Sequence, residues 1–180
     1  MGGTLHGRFA IVIASAIALA LPAPARARGD GESSAAVKAA FIHNFAKFAE
    51  WPALPAGVPL VLCIVADPDV AAALADAVQG RPIADHPVEV RQPVTSHSWT
   101  GCHLLFIGKS EVNPLIPGKA GTTALPLLTV SDRKGFSREG GAIELYIDDG
   151  HMRFAVSLQT VKRSEIRLSS RLLTLARLVQ

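Results

Sequence analysis

Short aliphatic runs that alternate with helical stretches constrain the fold of this chain more than any other sequence feature. Four runs predict strands: residues 60–66, 88–91, 102–107 and 127–130. A helix over 68–78 fits between the first two runs, because Asp67 can cap its first turn and Pro68 is favoured at the first helical position. Strands separated by helices are typical of a largely parallel sheet that is covered by helices.

The C-terminal part of the chain has a different pattern. Residues 143–147 and 152–156 alternate between apolar and polar side chains, and Asp149-Gly150 between them is typical of a hairpin turn. Further helices are predicted near 110–116, 158–164 and 169–178. We therefore expect a single α/β domain with a largely parallel sheet, flanked by helices and extended by a C-terminal antiparallel hairpin.

An aromatic segment over residues 36–52 predicts the first helix. Its large apolar side chains recur at helical spacing: Val37, Phe41, Phe45 and Phe48. Trp51 and Pro52 end the segment, because proline cannot continue a helix and disfavours helical backbone at the residue before it. We expect the face that carries these four side chains to be buried in the core.

The N-terminus has the pattern of a secretory signal peptide over residues 1–27. Arg8 gives a weakly positive start, residues 9–21 are continuously apolar, and two A-x-A motifs ending at Ala25 and Ala27 suit signal peptidase. The apolar run is shorter than the roughly 20 residues that a membrane span needs. A cleaved signal peptide is therefore favoured over a retained membrane anchor.

Export determines the expected domain organisation and the charge. Behind the signal peptide we expect a flexible segment over 28–33 and a folded domain over 34–180. The chain has 18 basic and 15 acidic residues, and the loss of Arg8 and Arg26 lowers its formal net charge from +3 to +1. The remaining basic residues are scattered along the sequence, whereas nucleic-acid binding needs a concentrated patch. DNA or RNA is therefore not an expected partner.

The two cysteines lie at two of the predicted strands. Cys63 falls within the first strand, and Cys102 lies at the start of the strand over 102–107. An even number of cysteines in an exported chain favours a disulfide bond. The alternative is a pair of buried free thiols.

The sequence contains no recognisable catalytic or cofactor motif. Gly140-Gly141 precedes a strand, whereas a dinucleotide fingerprint follows one, and the G-x-S-x-G motif of hydrolases is absent. The six histidines form neither H-E-x-x-H nor an i, i+4 pair, so no zinc site is predicted. Ser131-Asp132 follows a strand, where α/β sheets often place sites, although the pair is also typical of a turn. We expect no catalytic residue, metal or cofactor, and favour a binding protein over an enzyme.

The chain as a whole resembles the YfiR family of periplasmic regulators. The matching segments follow one another through nearly all of the predicted domain: 37–41, 44–48, 50–52, 62–63, 101–107, 128–132, 135–136, 140–141, 153–154 and 169–173. Each segment is weak evidence alone, and their number and order make the resemblance specific.

The resemblance implies an exported regulator in the periplasm of a Gram-negative bacterium. YfiR-like proteins hold a YfiN-like diguanylate cyclase of the inner membrane inactive through its periplasmic part, which lowers cyclic-di-GMP and biofilm formation. It also implies a homodimer and sequestration by a YfiB-like outer-membrane lipoprotein. The family's cysteine pair falls on Cys63 and Cys102, whereas a second pair that some members carry near the hairpin is absent here.

We expect the partner to bind at the hairpin and at the last predicted helix. The candidate contact residues are Ile143, Arg153, Phe154 and Arg177. They combine apolar and charged side chains, as the centres of interfaces do, although Ile143 and Phe154 also suit the core. The alternative functions are a small-ligand sensor that serves a histidine kinase or uptake receptor, and an enzyme that uses Ser131-Asp132.

Overall fold

The computed structural model describes residues 1–3, 30–51, 54–92, 99–111, 116 and 126–179. Most of the predicted signal peptide, Pro52 and most of the helix predicted near 110–116 lie outside these residues. The helices are α1 (Asp30–Lys47), α2 (Pro68–Val78), α3 (Leu158–Arg163) and α4 (Ser170–Leu173). The strands are β1 (Ala49–Glu50), β2 (Leu60–Val65), β3 (Val88–Arg91), β4 (Leu104–Ile107), β5 (Leu128–Ser131), β6 (Ile143–Asp148), β7 (His151–Ser157), β8 (Arg167–Leu168) and β9 (Arg177–Val179).

Seven of these strands form one sheet in the order β3-β2-β4-β5-β6-β7-β9. Every neighbouring pair is parallel except β6 and β7, which form the predicted antiparallel hairpin. Its turn at Asp149 and Gly150 has the positive φ angles, 46° and 70°, that this tight connection requires. Strands β1 and β8 pair separately. The structure confirms a single α/β domain with a largely parallel sheet.

The centre of the sheet is buried on both faces. All residues of β2, β4 and β5 are buried, which explains why β2 and β4 have continuous apolar sequences. Neighbouring residues of β2 belong to different core clusters. Leu62 packs with residues of α1 and α2, whereas Cys63 packs with Phe136 on the opposite face. The hairpin end of the sheet is less completely covered, and this is where the candidate site lies.

The buried face of α1 differs from the predicted one. Val37 is 40% exposed, and Phe41 and Phe48 are only partly buried. The side chains that α1 buries completely or nearly so are Ala35, Ala39, Ile42, Phe45 and Ala46. Three of these five side chains are alanines, and Phe41 and Phe48 lie at the edge of the buried face.

The helix also has different ends from those predicted. It begins at Asp30, within the segment 28–33 for which the sequence predicts flexibility, and it ends at Lys47. The next residues leave the helix because Ala49 and Glu50 pair with β8. The helical end expected at Trp51-Pro52 is therefore wrong by one turn.

The helix predicted over 169–178 is wrong for most of its length. Ser169 caps the four-residue helix α4, in which Leu172 is buried, but Leu175 is 74% exposed. The chain then becomes extended, and β9 pairs with β7 in parallel, with Arg177 opposite Ala155. A tertiary contact with the sheet outweighs the local helical pattern here.

Candidate functional site

The four predicted contact residues lie on two opposite faces of the hairpin end. Ile143 is fully buried and Phe154 is 5% exposed, and both face α1. Arg153 lies opposite Tyr146 in the hairpin register, on the other face, and Arg177 joins them there from β9. Arg153 and Arg177 are exposed. The predicted residues therefore do not form one contact surface.

The exposed face of the hairpin combines an aromatic ring with two guanidinium groups. The Arg177 Cζ atom lies 4.2 Å from the centroid of the Tyr146 ring, which is a cation–π distance. Tyr146 is partly exposed. We call Tyr146, Arg153 and Arg177 the hairpin face. Tyrosine and arginine are the residue types that most often carry binding energy in protein interfaces. The two guanidinium groups share this face with Glu144 and Asp148, which alternate with Tyr146 along β6.

A buried carboxylate lies on the same face of the sheet as Tyr146, beside Arg177. Glu144 is 5% exposed and accepts hydrogen bonds from the Gly135 N–H at 3.0 Å and the Ser137 hydroxyl at 2.7 Å. Burial acts to raise the pKa of Glu144, but these hydrogen bonds and the nearby Arg177 charge outweigh it and hold the pKa below the usual value. Glu144 thus remains ionised and fixes the loop that precedes β6.

Gly141 allows the same loop to close. A Cβ atom at this position would overlap the Phe136 ring, which is fully buried. The Gly140-Gly141 pair therefore has a packing role, in which Phe136 fills the core beneath the loop.

On the opposite face, α1 and the C-terminal segment form an apolar cavity of about 370 Å³ that is open to solvent on one side. It is lined by Phe41, Asn44, Phe45, Phe48, Phe154, Arg171, Leu172, Thr174 and Leu175. We call it the aromatic cavity. The Phe154 ring lies 5.1 Å from the Phe45 centroid and 6.0 Å from the Phe41 centroid, so the phenylalanines form a packed wall.

The two cysteines form the disulfide bond that the sequence favours over free thiols. Cys63 and Cys102 are bonded, with Cα atoms 5.9 Å apart. Cys63 is fully buried in β2, and Cys102 lies just before β4. The bond connects two elements that are adjacent in the sheet.

His103, next to the disulfide, is an anchoring residue that the sequence analysis missed. Its Nδ1 atom accepts a hydrogen bond from the Val61 N–H at 3.0 Å, so this nitrogen carries no proton. Its carbonyl accepts from the Trp51 indole at 3.2 Å. Burial lowers the pKa of His103, and the nearby His86 and Arg91 lower it further. The one sequence signal for His103 is its position directly after Cys102.

Ser131 and Asp132 have structural partners. Ser131 is buried, and its hydroxyl donates to the Ile107 carbonyl at 2.6 Å, so that proton is not donated to a base. Asp132 accepts from the Lys109 N–H at 2.8 Å and forms an ion pair with Lys38. These contacts fix the carboxyl ends of neighbouring strands, and they favour the turn interpretation over nucleophilic catalysis.

Two further features are absent from the described residues. Within the part of the chain that the structure covers, no cluster of three or more histidine, cysteine or acidic side chains could hold a metal ion. Among those same residues, no helix combines the length and hydropathy that a bilayer crossing requires.

Comparison with known proteins identifies the family. The model of the YfiR/HmsC-like family matches residues 35–177, which span every element from the first helix to the last strand. A comparison with curated proteins finds no match. YfiR-like proteins are regulatory proteins of the periplasm. The segments that carry the sequence resemblance thus lie within one matched domain, and the chain belongs to the YfiR/HmsC-like family.

Proposed function

We propose that this protein is a periplasmic regulator that binds the periplasmic part of an inner-membrane diguanylate cyclase and holds the enzyme inactive. The observation that carries the proposal is the family match over residues 35–177. Binding of this kind lowers cyclic-di-GMP and biofilm formation, because a partner that prefers the inactive state shifts the cyclase toward it. A cleaved signal peptide over 1–27 delivers the protein to the periplasm.

In this proposal, the hairpin face is the surface of the protein that contacts the periplasmic part of the cyclase. Tyr146 is partly exposed, and the exposed guanidinium groups of Arg153 and Arg177 can pair with carboxylates on the partner. Ile143 and Phe154 act from inside, where they support the two strands against α1. The same surface, or the opposite one, is available to a second copy of the chain and to an outer-membrane lipoprotein of the YfiB type.

Charge reversal on the hairpin face tests the proposal in cells. Deletion of the gene is expected to raise cyclic-di-GMP, and the wild-type gene to restore it. A double variant, R153E/R177E, is expected to be exported normally and to fail in repression and in pull-down of the cyclase. R81E is the matched control, since Arg81 is exposed at the end of α2, away from the hairpin. Unchanged cyclic-di-GMP on deletion, together with no membrane partner in the pull-down, would refute the proposal.

The aromatic cavity favours a second candidate function. A periplasmic module that senses a small ligand for a histidine kinase or uptake receptor would need such a pocket. The neighbouring genes separate the two candidates: a cyclase gene supports the first, and a kinase or receptor gene the second.

A further inference from the structure

The aromatic cavity has the size and composition of a small-molecule site. Its volume of about 370 Å³ lies within the range of about 300–1,000 Å³ that is usual for ligand pockets. Such pockets combine an apolar wall with a few polar groups that orient the ligand. Here the wall consists of four phenylalanines and two leucines, and the polar groups are Asn44, Arg171 and Thr174.

The rings of this cavity are only partly used in packing the core. Phe45 and Phe154 are buried, whereas Phe41 and Phe48 remain partly exposed and Leu175 is 74% exposed. Ile42, Phe45 and the buried alanines of α1 already pack against the rest of the domain. An apolar ligand in the cavity would cover Phe41, Phe48 and Leu175, and removal of that surface from water would stabilise the complex.

One side of the cavity carries a positive charge. Arg171 lies in α4 and is exposed at the cavity. The Thr174 hydroxyl donates to the Arg171 carbonyl at 2.9 Å, which fixes the turn that holds both residues. The described residues that line the cavity include no carboxylate. A guanidinium group binds a carboxylate through two parallel hydrogen bonds, so this wall selects an anionic end.

We propose that the aromatic cavity binds a small carboxylate with an apolar body, such as a medium-chain fatty acid or an arylalkanoate. The body lies against Phe41, Phe48 and Leu175, and the carboxylate lies at Arg171. The proposal concerns a ligand site of the isolated domain, on the face of the sheet opposite the hairpin face. It does not depend on which membrane protein the domain regulates.

Titration of the purified exported protein with octanoate tests the site, and 1-octanol is the neutral control of equal chain length. Carbon-detected aromatic and methyl NMR is expected to show shifts at Phe41, Phe48 and Leu175. Octanoate is expected to bind about tenfold more tightly than octanol, because a charge-assisted hydrogen bond is available only to the anion. A second titration with 4-phenylbutyrate tests the aromatic member of the class.

Two arginine variants separate the proposed role of Arg171 from general charge effects. R171Q is expected to remove the preference for octanoate over octanol. R138Q is expected to retain it, because Arg138 is exposed in the loop on the other face.

The proposal is wrong if neither carboxylate binds at millimolar concentration, if octanol binds equally well, or if the shifts lie elsewhere. An apolar docking surface for a protein partner is then the better interpretation. These titrations contain no cyclase, so their failure leaves the proposed regulatory function untouched.

Discussion

The Lys38 Nζ atom lies 2.7 Å from the Asp132 Oδ2 atom, which ties the first helix to the carboxyl end of β5. The same ammonium lies 3.1 Å from Asp67, the residue that caps α2. Burial lowers the pKa of Lys38, but its bonds to Asp132 and Asp67 outweigh burial and raise the pKa above the ordinary value. One lysine therefore connects two helices and the sheet.

Loss of this lysine is expected to destabilise the domain. K38M retains the apolar stem and removes the charge, which leaves two partly buried carboxylates with their backbone N–H donors but without a cation. It should reduce the free energy of unfolding by about 2–3 kcal/mol. D132N should cost less, since Lys38 keeps Asp67 and the asparagine oxygen can still accept from Lys109. Urea unfolding of both single variants and the double variant measures the coupling. Strictly additive effects would show that Lys38 and Asp132 do not stabilise the fold as a pair.

Local signals in the sequence were sufficient for most elements, but not for contacts of this kind. Asp67, Pro68 and the Asp149-Gly150 turn act within a few residues, so the bounds of α2 and the hairpin followed from the sequence. Lys38 and Asp67 are 29 positions apart. Their approach depends on how α1 lies over the sheet, which no local pattern specifies.

The two ends of the domain illustrate the same limit. The aromatic stripe of α1 correctly indicated an apolar face, but helical spacing cannot show that Phe45 is fully buried while Phe41 and Phe48 remain partly exposed. The apolar spacing before residues 177–179 predicts a helix that continues through them. They form a strand instead, because the edge of β7 is available for pairing. The aromatic cavity results from both differences, so it could not be predicted.

Alanine substitutions along α1 are expected to distinguish its buried face from the aromatic stripe. F45A should reduce the free energy of unfolding by about 3–5 kcal/mol, because Phe45 is fully buried. F41A should cost about 1–2 kcal/mol, since the ring is already partly exposed. V37A should remain within about 0.5 kcal/mol of wild type, as Val37 is 40% exposed. Equal costs at the three positions in urea unfolding would mean that α1 is rotated relative to this structure.

The disulfide has a direct chemical test. Intact mass of the exported protein after alkylation should show both thiols blocked only when a reductant is added first. The C63A/C102A variant should lose about 3–4 kcal/mol of unfolding free energy on the chain-entropy model, because the bond closes a loop between residues 39 positions apart. Alkylation of the untreated protein would rule the bond out.

His103 is expected to make the stability of the domain depend on pH. Its folded-state pKa lies below the ordinary value of 6.5, because burial and the neighbouring His86 and Arg91 disfavour the imidazolium ion. Below about pH 6.5, His103 is therefore protonated to a greater extent in the unfolded chain than in the folded chain. The stability from this group is present above the unfolded pKa of about 6.5 and is lost as the pH falls below that value toward the lower folded-state pKa.

Replacement by asparagine isolates this contribution. The H103N amide oxygen can occupy the position of Nδ1 and accept from the Val61 N–H, but it cannot titrate. We expect urea midpoints of H103N to change less between pH 7 and pH 5 than those of wild type. His43 also has a lowered pKa, through burial and the nearby Lys47 and Arg81, so H43N should remove part of the remaining slope. A wild-type pH profile in H103N would show that protonation of His103 does not oppose folding, and that Val61 does not depend on the unprotonated ring.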